Sequence, residues 1–282
     1  MRVLITGAAG MLGHDVVAAA GSGGLECVAL TRAQLDITDP AAARAVVASA
    51  APDAVVNCAA WSDVDAAESH ESDAHVVNAV GAGNVARAAA ESGAWTIHIS
   101  SDYVFDGSKR EPYVESDTTG PQSAYGRSKL AGEQAVAAAA PGAHTIVRTS
   151  WLFGAGGPCF PATILRIAGE REQLTVVDDQ VGCPTFAGHL AKAILDIAEA
   201  RPAGILHVAG AGSCSWFEFA QRIVADAGFD TDVLPCSTDE MRRPAPRPAY
   251  SVLGTERPDA APALPDWREG LEEYMALRAP VR

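Results

Sequence analysis

The sequence predicts an α/β fold: a Rossmann-type, doubly wound parallel sheet with a smaller C-terminal substrate-binding lobe. Three observations carry this expectation. Short β-rich runs alternate with alanine-rich helical stretches through residues 1–150, the rhythm that builds parallel sheets. Residues 53–58 (DAVVNC) form a nearly continuous apolar run, as a strand covered on both faces requires. Glycines 7, 10 and 13 punctuate the passage from the first strand to the first helix.

The elements follow in order. Residues 3–6 read as a strand, and the glycine turn leads into a helix over about 11–20. A strand over 25–30, a helix over 41–50 and a strand over 53–58 come next. One helix spans 75–90, followed by a strand over 94–101. After a loop, residues 125–139 read as a helix and 144–149 as a strand. Beyond Trp151 the rhythm loosens. Residues 1–150 are therefore assigned to the Rossmann domain and 151–282 mainly to the second lobe, with about 186–210 returning to the core. Residues 235–265 are rich in proline and arginine and read either as a surface loop or as a segment that clasps a ligand.

Composition narrows the functional classes. The 282 residues include 48% hydrophobic side chains, enough for a large core or a core with an added lobe. A net charge of −14 opposes general nucleic-acid binding, because a phosphate backbone is repelled. The six cysteines are scattered without a CxxC pair, which fits a reducing compartment better than a disulfide framework or a zinc site. No apolar run approaches the roughly 20 residues of a membrane span. The N-terminal strand meets its glycine turn too early for a signal peptide. A soluble cytoplasmic protein with no metal is expected.

Gly7, Gly10 and Gly13 form a GxxGxxG turn between strand and helix. Lacking Cβ atoms, they let the backbone approach a dinucleotide pyrophosphate that faces the helix N-terminus. Arg32 follows the second strand where an acidic residue would bind the ribose hydroxyls of NAD. An arginine there pairs with a 2′-phosphate and favours NADPH over NADH; its alternative is a solvated surface role. Asp36 and Ile37 are placed to meet the adenine edge, or form a turn before the helix at Pro40. Tyr125 and Lys129, four apart at a helix start, share one face. Such a pair suits ketone reduction, the ammonium drawing the phenol toward its working range. Ser100 and Ser101 end the fourth predicted strand, where doubly wound sheets bind ligands. A hydroxyl there polarises a carbonyl; Ser101 is assigned that task, with Ser100 nearer the cofactor.

These motifs resemble the dTDP-4-dehydrorhamnose reductase family of extended short-chain dehydrogenases along nearly the whole chain. The matching stretches are residues 7–13 (GAAGMLG), 52–68 (PDAVVNCAAWSDVDAAE), 99–107 (ISSDYVFDG), 125–133 (YGRSKLAGE), 148–154 (RTSWLFG), 179–185 (DQVGCPT), 215–220 (SWFEFA), 247–253 (RPAYSVL) and 267–271 (WREGL). The resemblance implies a triad of Ser101, Tyr125 and Lys129, with serine where the family usually has threonine. It implies cofactor contacts around Gly7 to Gly13, Met11 and Leu12 included, and from Asp36, Ile37, Ala59, Ala60, Trp61, Ser100, Tyr125 and Lys129. Substrate contacts are implied for Ser101, Asp102 and Trp151, the indole lying against a hexose; the alternative for Trp151 is a core aromatic. Some family members hold magnesium between two subunits through three carboxylates. Asp15 matches the first, and the other two places lack an acidic residue, so the sequence speaks against that metal and leaves monomer and homodimer open.

The implied reaction is reduction of dTDP-4-dehydro-β-L-rhamnose, a nucleotide-sugar substrate, at C4. Related sugar 4,6-dehydratases carry an Asp-Glu pair after the strand-end hydroxyl, whereas Asp102 here precedes Tyr103, which disfavours elimination. Two alternatives stand beside it. One is a 4-ketoreductase for another deoxysugar, such as a streptose-type sugar. The other is a non-catalytic NADP-binding regulatory subunit, the accessory subunit of methionine adenosyltransferase resembling the same family.

Overall fold

A computed structural model describes residues 1–278. In chain order, β1 (Arg2–Thr6), α1 (Met11–Ser22), β2 (Glu26–Leu30), α2 (Pro40–Ala50) and β3 (Ala54–Asn57) come first. Two short helices, α3 (Val64–Ser69) and α4 (Glu71–His75), precede α5 (Ala82–Glu91), β4 (Trp95–Ser101), α6 (Ala124–Ala139) and β5 (His144–Thr149). The remainder holds β6 (Leu152–Phe153), α7 (Phe160–Ala168), β7 (Gln173–Val177), β8 (Val181–Gly182), β9 (Thr185–Phe186), α8 (Ala187–Ala200), β10 (Gly204–His207), β11 (Cys214–Ser215), α9 (Trp216–Asp226), β12 (Asp232–Cys236) and α10 (Trp267–Arg278). Among the described residues no helix is long and apolar enough to cross a membrane.

The central sheet is parallel, with strand order β10-β5-β4-β3-β1-β2. Val3, Ile5, Val56, Ile97 and Val147 are fully buried against α1 and α8 on one face. Leu4, Val55, Val47 and Val85 fill the other, under α2 and α5. This two-sided burial explains why β3 reads as an unbroken apolar run. The order reverses between β1 and β3, and ligands bind at such switch points. The polar chain from Thr6 to Asn57 (2.6 Å) and on to His98 Nδ1 (3.2 Å) crosses β1, β3 and β4 there.

Where one helix was expected over 75–90, the chain runs α4, a π-helical turn at Val76–Gly81, and α5. The wide turn brings Asn78 beneath the catalytic-side loops, and π-bulges recur at functional sites. Asn78 accepts from Trp61 N (2.8 Å), and its amide donates to Trp61 O (3.0 Å) and Ser128 Oγ (2.8 Å). Residues 187–200 and 204–207, from the less regular half, supply α8 and the edge strand β10 of the main sheet. These elements fall within the 186–210 stretch expected to return to the core; which strand they join depends on β5 accepting a partner 59 residues away. A second core around Phe153, Phe186, Phe219, Trp267 and Tyr274 builds the smaller lobe.

A buried ion pair fastens α6 to the sheet. Arg148 of β5 donates to Glu133 through Nε (2.9 Å) and Nη2 (2.7 Å), both side chains being under 5% exposed. Ser100 Oγ donates to the same carboxylate at 2.5 Å.

At Gly132 a Cβ would lie 2.2 Å from the Asn78 carbonyl oxygen. Gly132→Ala therefore pushes α6 off the π-turn and is expected to lower unfolding free energy by about 1–3 kcal/mol. Urea denaturation of variant and parent checks this.

Candidate active site

The glycine turn and the loop after β3 meet at the switch point. Gly7 has φ +67°, and a Cβ there would sit 2.6 Å from Ala59 N, so only glycine allows the two segments this close. Together they wall a cavity of about 230 Å³ lined by Gly7, Gly10, Arg32, Asp36, Ile37 and Ala59 to Trp61. Eight of the expected cofactor residues thus share one cleft. Asp36 Oδ1 accepts from Thr38 N (3.0 Å) and Oγ1 (2.7 Å), a turn that holds its carboxyl below the usual range. Met11 and Leu12 stand apart from this lining. Met11 packs on the glycines at 154, 156 and 157, and Leu12 is buried in the core, so only their backbone at the start of α1 faces the turn. A larger cavity of about 700 Å³, bordered by Asp15, Lys192 and Asp196, contains none of the expected triad.

The triad residues stand on β4 and α6. Ser123 caps α6, its Oγ accepting from Gly126 N at 3.1 Å. Glu68 of α3 accepts from Ala124 N at 2.7 Å. This start presents Tyr125 one turn before Lys129. Ser101 Oγ donates to Asp102 Oδ1 at 2.9 Å and also neighbours the Tyr125 phenol, the ring of which meets Tyr103 edge-on at 5.6 Å between centroids. Lys129 is buried, its Nζ donating to the Ile99 carbonyl at 2.6 Å.

Burial dominates the electrostatics. It pushes the Tyr125 phenol up to about 12; the Ser101 hydroxyl opposes this and Asp102 adds to it. The expected downward pull from Lys129 is absent from these influences: its ammonium is engaged by the Ile99 carbonyl and is itself drawn down to about 8 by burial, against Glu133 and Cys58. Burial also raises Asp102 to about 6, partly countered by Ser251 and Ser101. Asp102 Oδ2 and Ser251 Oγ, both buried, have no hydrogen-bond partner among the described residues.

Ser100, expected nearer the cofactor, spends its hydroxyl on Glu133. Trp151 stacks flat on Trp216 with ring centroids 3.5 Å apart and an interplanar angle of 4°. Its φ of +45° is unusual for a side-chain-bearing residue and signals strain retained at functional sites. Gly182 makes room for the indole. Trp216, Ser251, Asn78 and Glu133 escaped sequence reasoning as site neighbours. For Trp216, Ser251 and Glu133 the signal was only membership in matched stretches; Asn78 lies outside them and carried none, since contact depends on the fold.

Asp15, the residue matched to a magnesium ligand, pairs with His14 at 3.0 Å. Among the described residues no three His, Cys, Asp or Glu side chains converge to hold an ion.

Residues 1–279 match the family model described as the RmlD substrate binding domain. A dTDP-4-dehydrorhamnose reductase of Mycolicibacterium smegmatis is 47% identical, covering 98% of this chain and 85% of its own length. A dTDP-4-keto-6-deoxy-D-glucose reductase of Streptomyces niveus is 44% identical over 98% of this chain and 97% of its own. The crystal structure of dTDP-4-dehydrorhamnose reductase from Bacillus anthracis in complex with NADP superposes with a TM-score of 0.95 at 40% identity, covering 98% and 99% of the two chains.

The raised Asp102 carboxyl makes a testable demand. A folded-state pKa above the ordinary 3.8 means that stability present at low pH is lost as pH climbs through about 6. Asp102→Asn should be near neutral at pH 4 and stabilising by up to about 3 kcal/mol above pH 6, measured by urea unfolding across that range. With the matched family model, the near-full-length relatives and this architecture in agreement, the chain belongs to the dTDP-4-dehydrorhamnose reductase family.

Proposed function

We propose that this protein reduces dTDP-4-dehydro-β-L-rhamnose to dTDP-β-L-rhamnose, with NADPH favoured over NADH. What supports the reading is the half-buried Tyr125, its phenol beside Ser101 at the carboxyl end of β4, next to the glycine-walled cleft.

The cleft fits a dinucleotide. Gly7, Gly10 and the α1 N-terminus would hold its pyrophosphate, Asp36 and Ile37 its adenine edge, and Arg32 a 2′-phosphate. When bound, the cofactor supplies the hydride that reduces C4. Ser101 donates to the C4 carbonyl oxygen and polarises it. Tyr125 hands its proton to that oxygen as the carbonyl becomes an alcohol, and solvent restores the proton. A phenol held at about 12 is fully protonated at neutral pH, which suits the donor in the reducing direction. Lys129, its Nζ on the Ile99 carbonyl, would reach the nicotinamide ribose and help hold the cofactor. Asp102 and the Trp151 indole position the hexose. Six unpaired cysteines suit a cytoplasmic setting.

A second reading keeps the chemistry and changes the sugar. The 44% identity to a dTDP-4-keto-6-deoxy-D-glucose reductase favours testing that isomer beside the first. The regulatory-subunit alternative loses ground to the presence of all three triad side chains, which a binding protein does not need.

The test follows loss of reduced-nicotinamide absorbance with dTDP-4-dehydro-β-L-rhamnose made in situ, the product being identified by NMR. Rapid oxidation yielding dTDP-rhamnose is expected; tight NADPH binding with no oxidation would sink the assignment. Tyr125→Phe should lower kcat by about 10²–10⁴-fold with unchanged cofactor affinity. Arg32→Ser should reduce the NADPH preference over NADH by about tenfold, the loss of one charge-assisted contact.

A further inference from the structure

The arginine- and proline-rich segment runs across the reacting site. Ser251 N bonds to Val181 O (2.8 Å), and Val181 N to Ala249 O (2.9 Å), beside the Gly182 that faces Trp151. Pro248 packs against Gly107 so closely that a Cβ there would lie 2.5 Å from it. Tyr113 N bonds to Val252 O at 2.8 Å, and Ser251 faces Asp102. These anchors are backbone bonds or apolar contacts.

One anchor differs. The Asp65 carboxylate, on the first turn of α3, accepts from Arg247 Nη1 (2.8 Å) and Ala245 N (3.2 Å) and lies 3.3 Å from Arg243 Nε. One side chain thus gathers three donors from about 180 residues away. Its helix follows the cofactor-side loop directly: Trp61 Nε1 donates to Asp63 O (3.0 Å), and Asp63 caps α3. Asp65 and Arg247 both act on the Tyr103 phenol, and Tyr103 abuts Tyr125. Burial would raise the Asp65 carboxyl, but Arg247, Ala245 and Arg243 together hold it below the usual range. The Arg247 side chain is 13% exposed, so its charge depends on this partner.

We propose that Asp65 is a positioning residue that latches residues 243–254 across the reacting site, closing the nucleotide-sugar pocket against the loop that walls the cofactor cleft. The inference rests on the nucleotide-sugar reading above. Asp65 touches neither reacting atom; it acts through Arg247 and the backbone at Ala245. Without the latch the strap keeps its backbone bonds at Val181 and Tyr113 but loses its hold beside Tyr103. The sugar then binds more weakly while the triad stays intact.

The test uses full-length protein with NADP bound and dTDP-glucose as a non-reducible probe, its affinity read by calorimetry. Asp65→Asn, which keeps shape and removes charge, is expected to weaken dTDP-glucose binding about tenfold and to speed amide exchange over residues 243–250. NADP affinity should stay within about twofold, and KM for the keto sugar should rise with kcat within about threefold. Arg247→Gln should match it, and the double variant should be no weaker than either single one, the signature of a coupled pair. Arg247→Lys should restore part of the affinity, which a general folding defect would not. Unchanged binding in Asp65→Asn, or additive losses in the double variant, would overturn the latch. A parent protein that fails to bind dTDP-glucose overturns the nucleotide-sugar reading and the latch with it.

Discussion

The buried pair of Glu133 and Arg148 is the constraint around which the site is organised. Two charges under 5% exposed are tolerated only when each is fully partnered. Here the carboxylate takes both arms of the guanidinium and the Ser100 hydroxyl. The remaining guanidinium nitrogen reaches His207 Nε2 at 3.4 Å. Nδ1 of His207 faces the carbonyls of Gly254 (2.8 Å) and Tyr113 (3.1 Å), which places the ring proton there. Burial keeps this imidazole below its ordinary range and hence neutral. Breaking one member strands a charge, so β4, β5, β10, α6 and the strap at Gly254 are held in one register.

That register fixes what Lys129 and Ser101 can do. Lys129 lies one helical turn before Glu133, and the Glu133 charge opposes the loss of its proton that burial favours. Ser101 follows Ser100, which the ion pair holds. The local device is therefore an electrostatic scaffold beneath the candidate site. Low dielectric strengthens each polar contact and makes an unpaired one expensive. Asp102 is the exception, buried and raised to about 6 with one oxygen lacking a partner among the described residues.

The two halves of the molecule meet through long-range pairings rather than through a simple boundary. β10 pairs in parallel with β5, adding the sixth strand to the central sheet. α8 then covers the same sheet face as α1. The Phe153 core grows outward from that layer and carries Trp216 to its stack on Trp151. A residue with φ of +45° is held there by packing on both faces.

By itself the sequence determined the alternating architecture of residues 1–150, the glycine turn and the paired positions of Tyr125 and Lys129, because each is written in local spacing. Arg32, Asp36 and Ile37 were singled out by their place after a strand end and Ala59 to Trp61 by the family resemblance; the fold brings them to one cleft. Only the tertiary structure decided the rest. The π-turn at Val76–Gly81 depends on Gly132 of another helix allowing close approach. The raised pKa of Tyr125 depends on how deeply the ring is enclosed, which helical spacing does not encode. Ser251, Trp216 and Asp65 join the site through contacts that no periodicity records. Hydrophobic pattern specifies which face of an element is buried; which distant carboxylate, indole or carbonyl lies opposite it is settled by packing.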